Sequence, residues 1–265
     1  MVIHSLVEGS SIRSIERMTG IHGDTIGRLG VRVGQACAKL MDEKMKNLAC
    51  ERIQLDEIWG FIGKKQKNLK EGDEKKGLGD AWTFVAIDAD TKIVPTFAVG
   101  KRDSYTANLF VEDLASRLKS RVQISSDALA AYVGAVERGF GSEVDYGQIV
   151  KAFSESDIQN QGRYSPPKVV GASKTIIVGQ PNTKDISTSY IERQNLTMRM
   201  HCRRLTRLTN AFSKKLENFK ASVALYFAYY NFVKIHGSLR CTPAMEAGVT
   251  NELWTVRKLI EATHA

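Results

Sequence analysis

Three acidic residues, Asp56, Asp127 and Glu192, are placed where carboxylates could do chemistry together. Asp56 lies in the middle of Ile53-Gln-Leu-Asp-Glu-Ile-Trp-Gly-Phe-Ile62, an otherwise apolar and aromatic run. An ionised carboxylate there is costly unless it is paired or bound to a metal. Magnesium takes hard oxygen ligands, and two ions about 4 Å apart can clamp the attacking and leaving oxygens of an in-line phosphoryl transfer. Taken singly, Asp127 reads as a helix N-cap and Glu192 as a complement to a helix dipole. Taken with Asp56, they read as ligands of Mg²⁺ or Mn²⁺, two ions in all. Glu57 is expected on the opposite face of its strand, with Leu55 and Trp59. Asp88 and Asp90 read as turn residues.

The elements that must position these groups follow from periodicity. Residues 53–62 are short, apolar and aromatic, the pattern of a buried strand. A lysine-rich connection at residues 63–80 leads to a hairpin, with strands at 82–87 and 93–99 around the turn Asp88-Ala-Asp-Thr-Lys92. Residues 104–120 read as a helix with Leu109, Phe110, Leu114 and Leu118 inward. A strand at 122–127 runs into a helix at 128–137, and another strand is expected at 144–153. Residues 154–188 are polar and rich in Gly and Pro, with short strands at 169–170 and 176–178, and read as a functional insertion. Ser187 or Thr188 then caps a helix running through Leu208, and a second helix covers 212–234. This order predicts an α/β fold with a mixed sheet and matches the element order of the ribonuclease H fold.

Charge narrows the partners. The 265 residues carry 38 Lys and Arg against 29 Asp and Glu, a net +9. Between Arg193 and Arg240 there are ten basic residues and one acid, Glu217, whereas residues 1–50 carry seven basic and five acidic side chains. So basic a segment attracts polyanions, because neutralising phosphates releases condensed counterions. Glu192, Asn195, Arg199 and Arg203 follow one another at helical spacing, placing a carboxylate at the head of a basic stripe that Arg193, Arg204 and Arg207 extend. Ile191, Met198, Cys202 and Leu205 are expected on the core side. No run approaches the roughly 20 apolar residues of a membrane span. Cys37, Cys50, Cys202 and Cys241 form no CxxC pair and read as reduced cytoplasmic thiols.

Near the N-terminus, Ser10 or Ser11 caps a helix with Ile12, Ile15 and Met18 inward. After Gly20-Ile21-His22-Gly23, Asp24 can cap a second helix burying Ile26, Leu29, Val33, Cys37 and Leu40. Thr25, Arg28 and Arg32 fall on its other face. This is helix-turn-helix patterning, equally compatible with a plain helical hairpin.

Leu55-Asp56-Glu57-Ile58-Trp59, Ser126-Asp127-Ala128 followed by Tyr132, and Thr188-Ser-Tyr-Ile-Glu192-Arg-Gln-Asn195-Leu-Thr-Met-Arg199 resemble the acidic-triad (DDE) transposases of bacterial insertion sequences, above all those of the insertion-sequence-one type. Arg204-Leu-Thr-Arg-Leu-Thr209, Tyr230-Asn231 through His236, and Thr242-Pro243 are similar to that group's C-terminal signature, so the resemblance spans roughly residues 50–248. It implies a retroviral-integrase-like core at 51–210, a helix-turn-helix at 1–50 and a helical extension at 211–265. It implies hydrolysis at transposon ends to expose a 3′-hydroxyl that attacks target DNA, with Asp56, Asp127 and Glu192 as metal ligands. Arg193, Asn195 and Arg199 would lie at DNA phosphates near the metals. Double-stranded DNA, both transposon ends and target, would be the partner of a homo-oligomer acting at the bacterial nucleoid. Many relatives carry an N-terminal cysteine-rich zinc module that these residues lack. Tyr230 and His236 are expected to pack the last helix onto the core. The competing readings are a nuclease of the same fold and a non-catalytic, transposase-derived DNA-binding protein.

Overall fold

The computed structural model describes residues 1–153 and 169–264. The strands are β1 (Arg52–Ile62), β2 (Gly79–Asp88), β3 (Phe97–Gly100), β4 (Val122–Ser126), β5 (Val144–Phe153) and β6 (Val169–Val178), so the strand expected at 93–99 starts only at Phe97. They make one mixed sheet in the order β3-β2-β1-β4-β5-β6. The β1–β2, β2–β3 and β5–β6 pairs are antiparallel, and β1–β4 and β4–β5 are parallel. The two short strands expected at 169–170 and 176–178 are one strand at the sheet edge. It is exposed along most of its length, so it has no buried face to impose a hydrophobic pattern. The rest of the expected insertion, residues 154–168, lies outside the described residues.

Helices cover both faces. On one, α4 (Ser104–Arg117) and α5 (Ala130–Phe140) pack on each other, with Phe84 of β2 against Phe110 and, edge-on, Tyr132. On the other, α6 (Ser189–His201) lies across β1 and β2, and Phe97 of β3 stacks on Phe227 of α7 (Leu216–Phe232). Leu109, expected inward, is 49% exposed. Phe110 and Leu114 already fill the face of α4 that meets the sheet. The helix after Thr188 ends at His201 rather than at Leu208, with Arg203–Leu205 forming a separate 3₁₀ turn. Short helices α8 (Pro243–Glu246) and α9 (Val256–Ala262) complete the chain.

The N-terminal residues form α1 (Val2–Val7), α2 (Ile12–Thr19) and α3 (Gly23–Lys44). Ser11 caps α2 by accepting the Ser14 amide at 3.0 Å, and His22, not Asp24, caps α3. Ile15 is buried as expected, whereas Met18 is 60% exposed beyond the contact with α3. The inward row of α3 (Ile26, Val33, Cys37, Leu40) is buried, with Leu29 at its margin. Along that row α3 packs closely on α7. A Cβ at Gly34 would stand 2.1 Å from the Ala221 carbonyl oxygen, so a side chain at residue 34 would force the two helices apart. Tyr230 and Asn231 tie α7 to the β2–β3 connection. The Tyr230 hydroxyl donates to the Lys92 carbonyl at 3.0 Å, and the Asn231 side chain bridges the Val94 amide and carbonyl. His236 closes the turn after α7, its amide donating to the Cys241 carbonyl. Among the described residues, no helix is long and apolar enough to cross a membrane.

Candidate metal centre and basic cleft

The ends of the two central parallel strands create an acidic slot. The β1–β4 register ends at Leu55–Ser126, while β1 runs on to Ile62 paired with β2 and, at Ile62 itself, bridged to Ser213. Asp127 follows directly on the last paired residue of β4 and so lies beside Asp56. One carboxylate oxygen from each of Asp56, Glu57 and Asp127 lies within 4.8 Å of the others. Alternation along β1 sends Asp56 toward α6 and Glu57 toward α5, as expected. Even so, Glu57 does not stay apart from the site. Past the end of β4 no neighbouring strand separates the two faces, and its longer side chain reaches the same slot.

Each carboxylate is held differently. Asp56 accepts the Glu57 amide at 2.8 Å and the Asn195 side-chain amide of α6 at 2.8 Å. Burial first, then the neighbouring Glu57 and Asp127 charges, push its carboxyl up to about 7 against those hydrogen bonds. Glu57 is raised by burial and by Asp127, opposed by Arg102 and the Tyr132 hydroxyl, which donates at 3.1 Å. Asp127 accepts the Leu129 amide at 3.0 Å, a tight local turn rather than the N-cap of α5. The Asn195 carbonyl oxygen, buried beside Asp56, has no hydrogen-bond partner. Three clustered carboxylates, two of them with raised pKa values, and an unpartnered buried oxygen are a hard-oxygen donor set that fits a divalent cation.

Glu192 is not brought into this slot. It is on the first turn of α6, one turn before Asn195, and accepts from Lys151 of β5 and from the Thr188 hydroxyl at 2.6 Å. Asn195, expected at DNA phosphates, instead turns inward to Asp56 and is 8% exposed. Arg203 does not continue the α6 stripe, because the helix has ended. Arg193 and Arg207 are exposed. Arg199 is partly buried, donates to the Leu205 carbonyl at 3.1 Å, and is held down to about 10 by burial with Arg207 alongside.

A second concentration of charge lies between α3 and the segment after α6. A cleft of about 1360 Å³ is lined by Arg13, Arg28 and Arg32 on one side and by Arg203, Arg204, Lys214 and Lys215 on the other. Thr25 is exposed on α3 next to it. Arg203 keeps a buried Nε without a partner, and burial lowers the Arg204 pKa. Two groups that the sequence placed in separate regions thus face one another.

Neither a protein-family profile nor a curated protein matches this chain. The functional reading is therefore carried by the two sites themselves. Sequence reasoning set Glu57 aside on the opposite face, quoted Tyr132 only as part of the Asp127 motif with no role at the site, and missed Arg102.

Proposed function

We propose that the chain is a metal-dependent DNA transposase of the acidic-triad type, with a ribonuclease H-like core and a helix-turn-helix formed by α2 and α3. The observation that carries this reading is the convergence of Asp56 and Asp127 beyond the paired end of β1 and β4. The strand order β3-β2-β1-β4-β5 and its directions are compatible with that fold. Asp56, Asp127 and Glu57 would hold a divalent ion, Mg²⁺ or Mn²⁺, with Asn195 orienting Asp56. Glu192 is the further ligand that the resemblance implies. When bound, the ion supplies charge stabilisation to the reacting phosphate. In the first step a water oxygen bonds to phosphorus as the P–O3′ bond breaks, leaving a 3′-hydroxyl and a 5′-phosphate. In the second, that 3′-oxygen bonds to a target phosphorus and a target 3′-hydroxyl departs. The number of phosphodiester bonds is conserved in the second step, so it requires no energy-supplying co-reactant. The arginines of the cleft, with Arg193, Arg199 and Arg207, would hold duplex phosphates.

A binding-only protein is favoured by one observation, the engagement of Glu192 with Lys151 away from the other carboxylates. An assay on oligonucleotides carrying the element's end, with Mg²⁺, Mn²⁺ or EDTA, separates the two readings. Metal-dependent 3′-end cleavage and joined products, both lost in Asp127→Ala, are expected. Cleavage without joined products would leave a nuclease of this fold, and binding with no cleavage at all would leave the DNA-binding protein.

A further inference from the structure

Arg102 lies between the end of β3 and the start of α4, and its side chain crosses β2 to reach the acidic slot. Its Nε donates to Glu57 Oε1 at 2.6 Å and its Nη2 lies 2.5 Å from the same oxygen. The Glu57 side chain is 2% exposed and that of Arg102 is 42% exposed, so the anchor is internal and the cation opens to solvent. The guanidinium carbon stands 5.0 Å over the Trp82 ring, and Nη2 is 4.0 Å from Asp127 Oδ2. Among the described residues, Nη1 has no protein partner.

Neutralising Glu57 alone needs only one donor edge. A guanidinium has five N–H donors in a fixed fork, so pinning it through Nε and Nη2 leaves donors committed to nothing else. The anchor and the aromatic face remove the rotamer freedom that a surface arginine would lose on binding. Three carboxylates in one slot repel an approaching phosphodiester, and a fixed cation at their rim offsets that repulsion where the phosphate must come.

We infer that Arg102 binds a non-bridging oxygen of the phosphate on which the carboxylates act, with Glu57 and Trp82 as positioning residues. The inference rests on the DNA-cutting reading above. Its role is electrostatic: as water adds to phosphorus and the P–O3′ bond breaks, the guanidinium faces the oxygens that gather charge. It neither gives nor takes a proton.

The test uses the full chain and duplex DNA carrying the element's end. One form is unmodified, and the other has a neutral methylphosphonate at the scissile position. Affinity is measured in Ca²⁺ and single-turnover cleavage in Mg²⁺. The methylphosphonate is expected to weaken binding about tenfold more in wild type than in Arg102→Ala, because the charge-assisted hydrogen bond from Arg102 is missing over and above any contact to the ion. Arg102→Ala should cut about 10²–10³-fold more slowly, the usual loss for one transition-state donor, and recover partly in millimolar guanidinium. Arg102→Lys keeps the charge without the fork and is expected in between, which controls for folding.

An arginine that only balances Glu57 would behave otherwise. Arg102→Lys, which keeps the balancing charge, would then cut at the wild-type rate, and Arg102→Ala would keep the whole wild-type methylphosphonate penalty. Either result overturns the inference while wild-type cutting upholds the enzyme. A wild-type chain that makes no metal-dependent cut overturns both.

Discussion

The acidic slot and the basic cleft are built on opposite plans. In the slot, Asp56 and Glu57 are consecutive on one strand and Asp127 directly follows the next, so backbone register sets the separation of the carboxylates. In the cleft, long side chains reach out from α3 and from the turns after α6, and no register relates one arginine to another. Both collect mostly one sign of charge, although the seven cations of the cleft are joined in its lining by Glu16, Asp24 and Glu217. The slot has Arg102 at its rim, and Lys151 engages Glu192 nearby. The cleft has a buried Arg203 Nε with no partner. A site fixed by register suits a single ion or atom. A surface of long-armed cations suits a polymer of phosphates that must be held but not placed to a fraction of an ångström. Substitutions should therefore act all-or-none in the slot and by increments in the cleft.

The largest effect is expected at the slot. Asp127→Ala or Asp56→Ala should reduce metal-dependent cutting by more than about 10³-fold, since each removes a ligand from a charge-stabilising centre. DNA affinity, read by fluorescence anisotropy, should stay close to wild type. Cutting that persists in Asp56→Ala would remove that carboxylate from the metal site and end the contrast between the two regions.

Next comes the cleft. Replacing Arg28, Arg32, Arg203 and Arg204 with Ala should weaken duplex binding about 10–100-fold at moderate salt. The slope of log K against log salt should flatten by as much as about 3–4, at roughly 0.9 for each phosphate no longer neutralised. Single replacements should each give a fraction of that. A slope identical to wild type in the fourfold variant would show that the cleft does not hold DNA.

The same contrast explains what could be read from the sequence. The β1 and β4 strands and the buried row of α3 are legible because burial writes an apolar pattern with a period of two or of three to four. Asp56 stands out as a charge inside such a pattern. The pattern describes where a Cβ points, however, and not where a long side chain ends. Alternation alone therefore puts Glu57 on the far face, although its carboxylate rounds the end of β4. Arg102 carries no local mark at all, since its role depends on β2 and β3 placing it across two strands from Glu57. The exposed edge of β6 leaves no apolar alternation to read, and six-residue α1 is too short to show a period. Glu192 and Asn195 read as one helical stripe. Which of them turns inward is decided by Lys151 and Asp56 on the sheet beneath, and helix spacing does not encode that choice.

A third variant acts on the wall of the cleft without touching its charge. Gly34→Ala would set a methyl group against the Ala221 carbonyl, pushing α3 from α7. A loss of about 2 kcal/mol in chemical denaturation is expected, in the range typical of overpacking. DNA binding should suffer with it, because α3 carries Arg28 and Arg32, while Mg²⁺-induced stabilisation of the slot should persist. Loss of both together would show that the two regions are mechanically coupled rather than independent.

The smallest effect returns to Asp56. Its carboxyl is raised in the folded chain to about 7, mainly by burial, whereas an unfolded aspartate titrates near 3.9. Between those values the folded state holds a proton that the unfolded state has lost, so this group's contribution to stability is complete at low pH. It is lost as pH rises through 7. In EDTA, Asp56→Asn, which never ionises, should therefore be more stable than wild type at pH 8 by about 1–2 kcal/mol, and the gap should narrow below pH 7 and close toward pH 4. Mg²⁺ at pH 8 should reverse the order, because binding to the folded state alone stabilises wild type by mass action while the amide weakens the site. If Mg²⁺ raises the melting temperatures of both proteins equally, the ion binds elsewhere. The raised pKa of Asp56 would then reflect a buried carboxylate crowded by its neighbours, with no link to a metal.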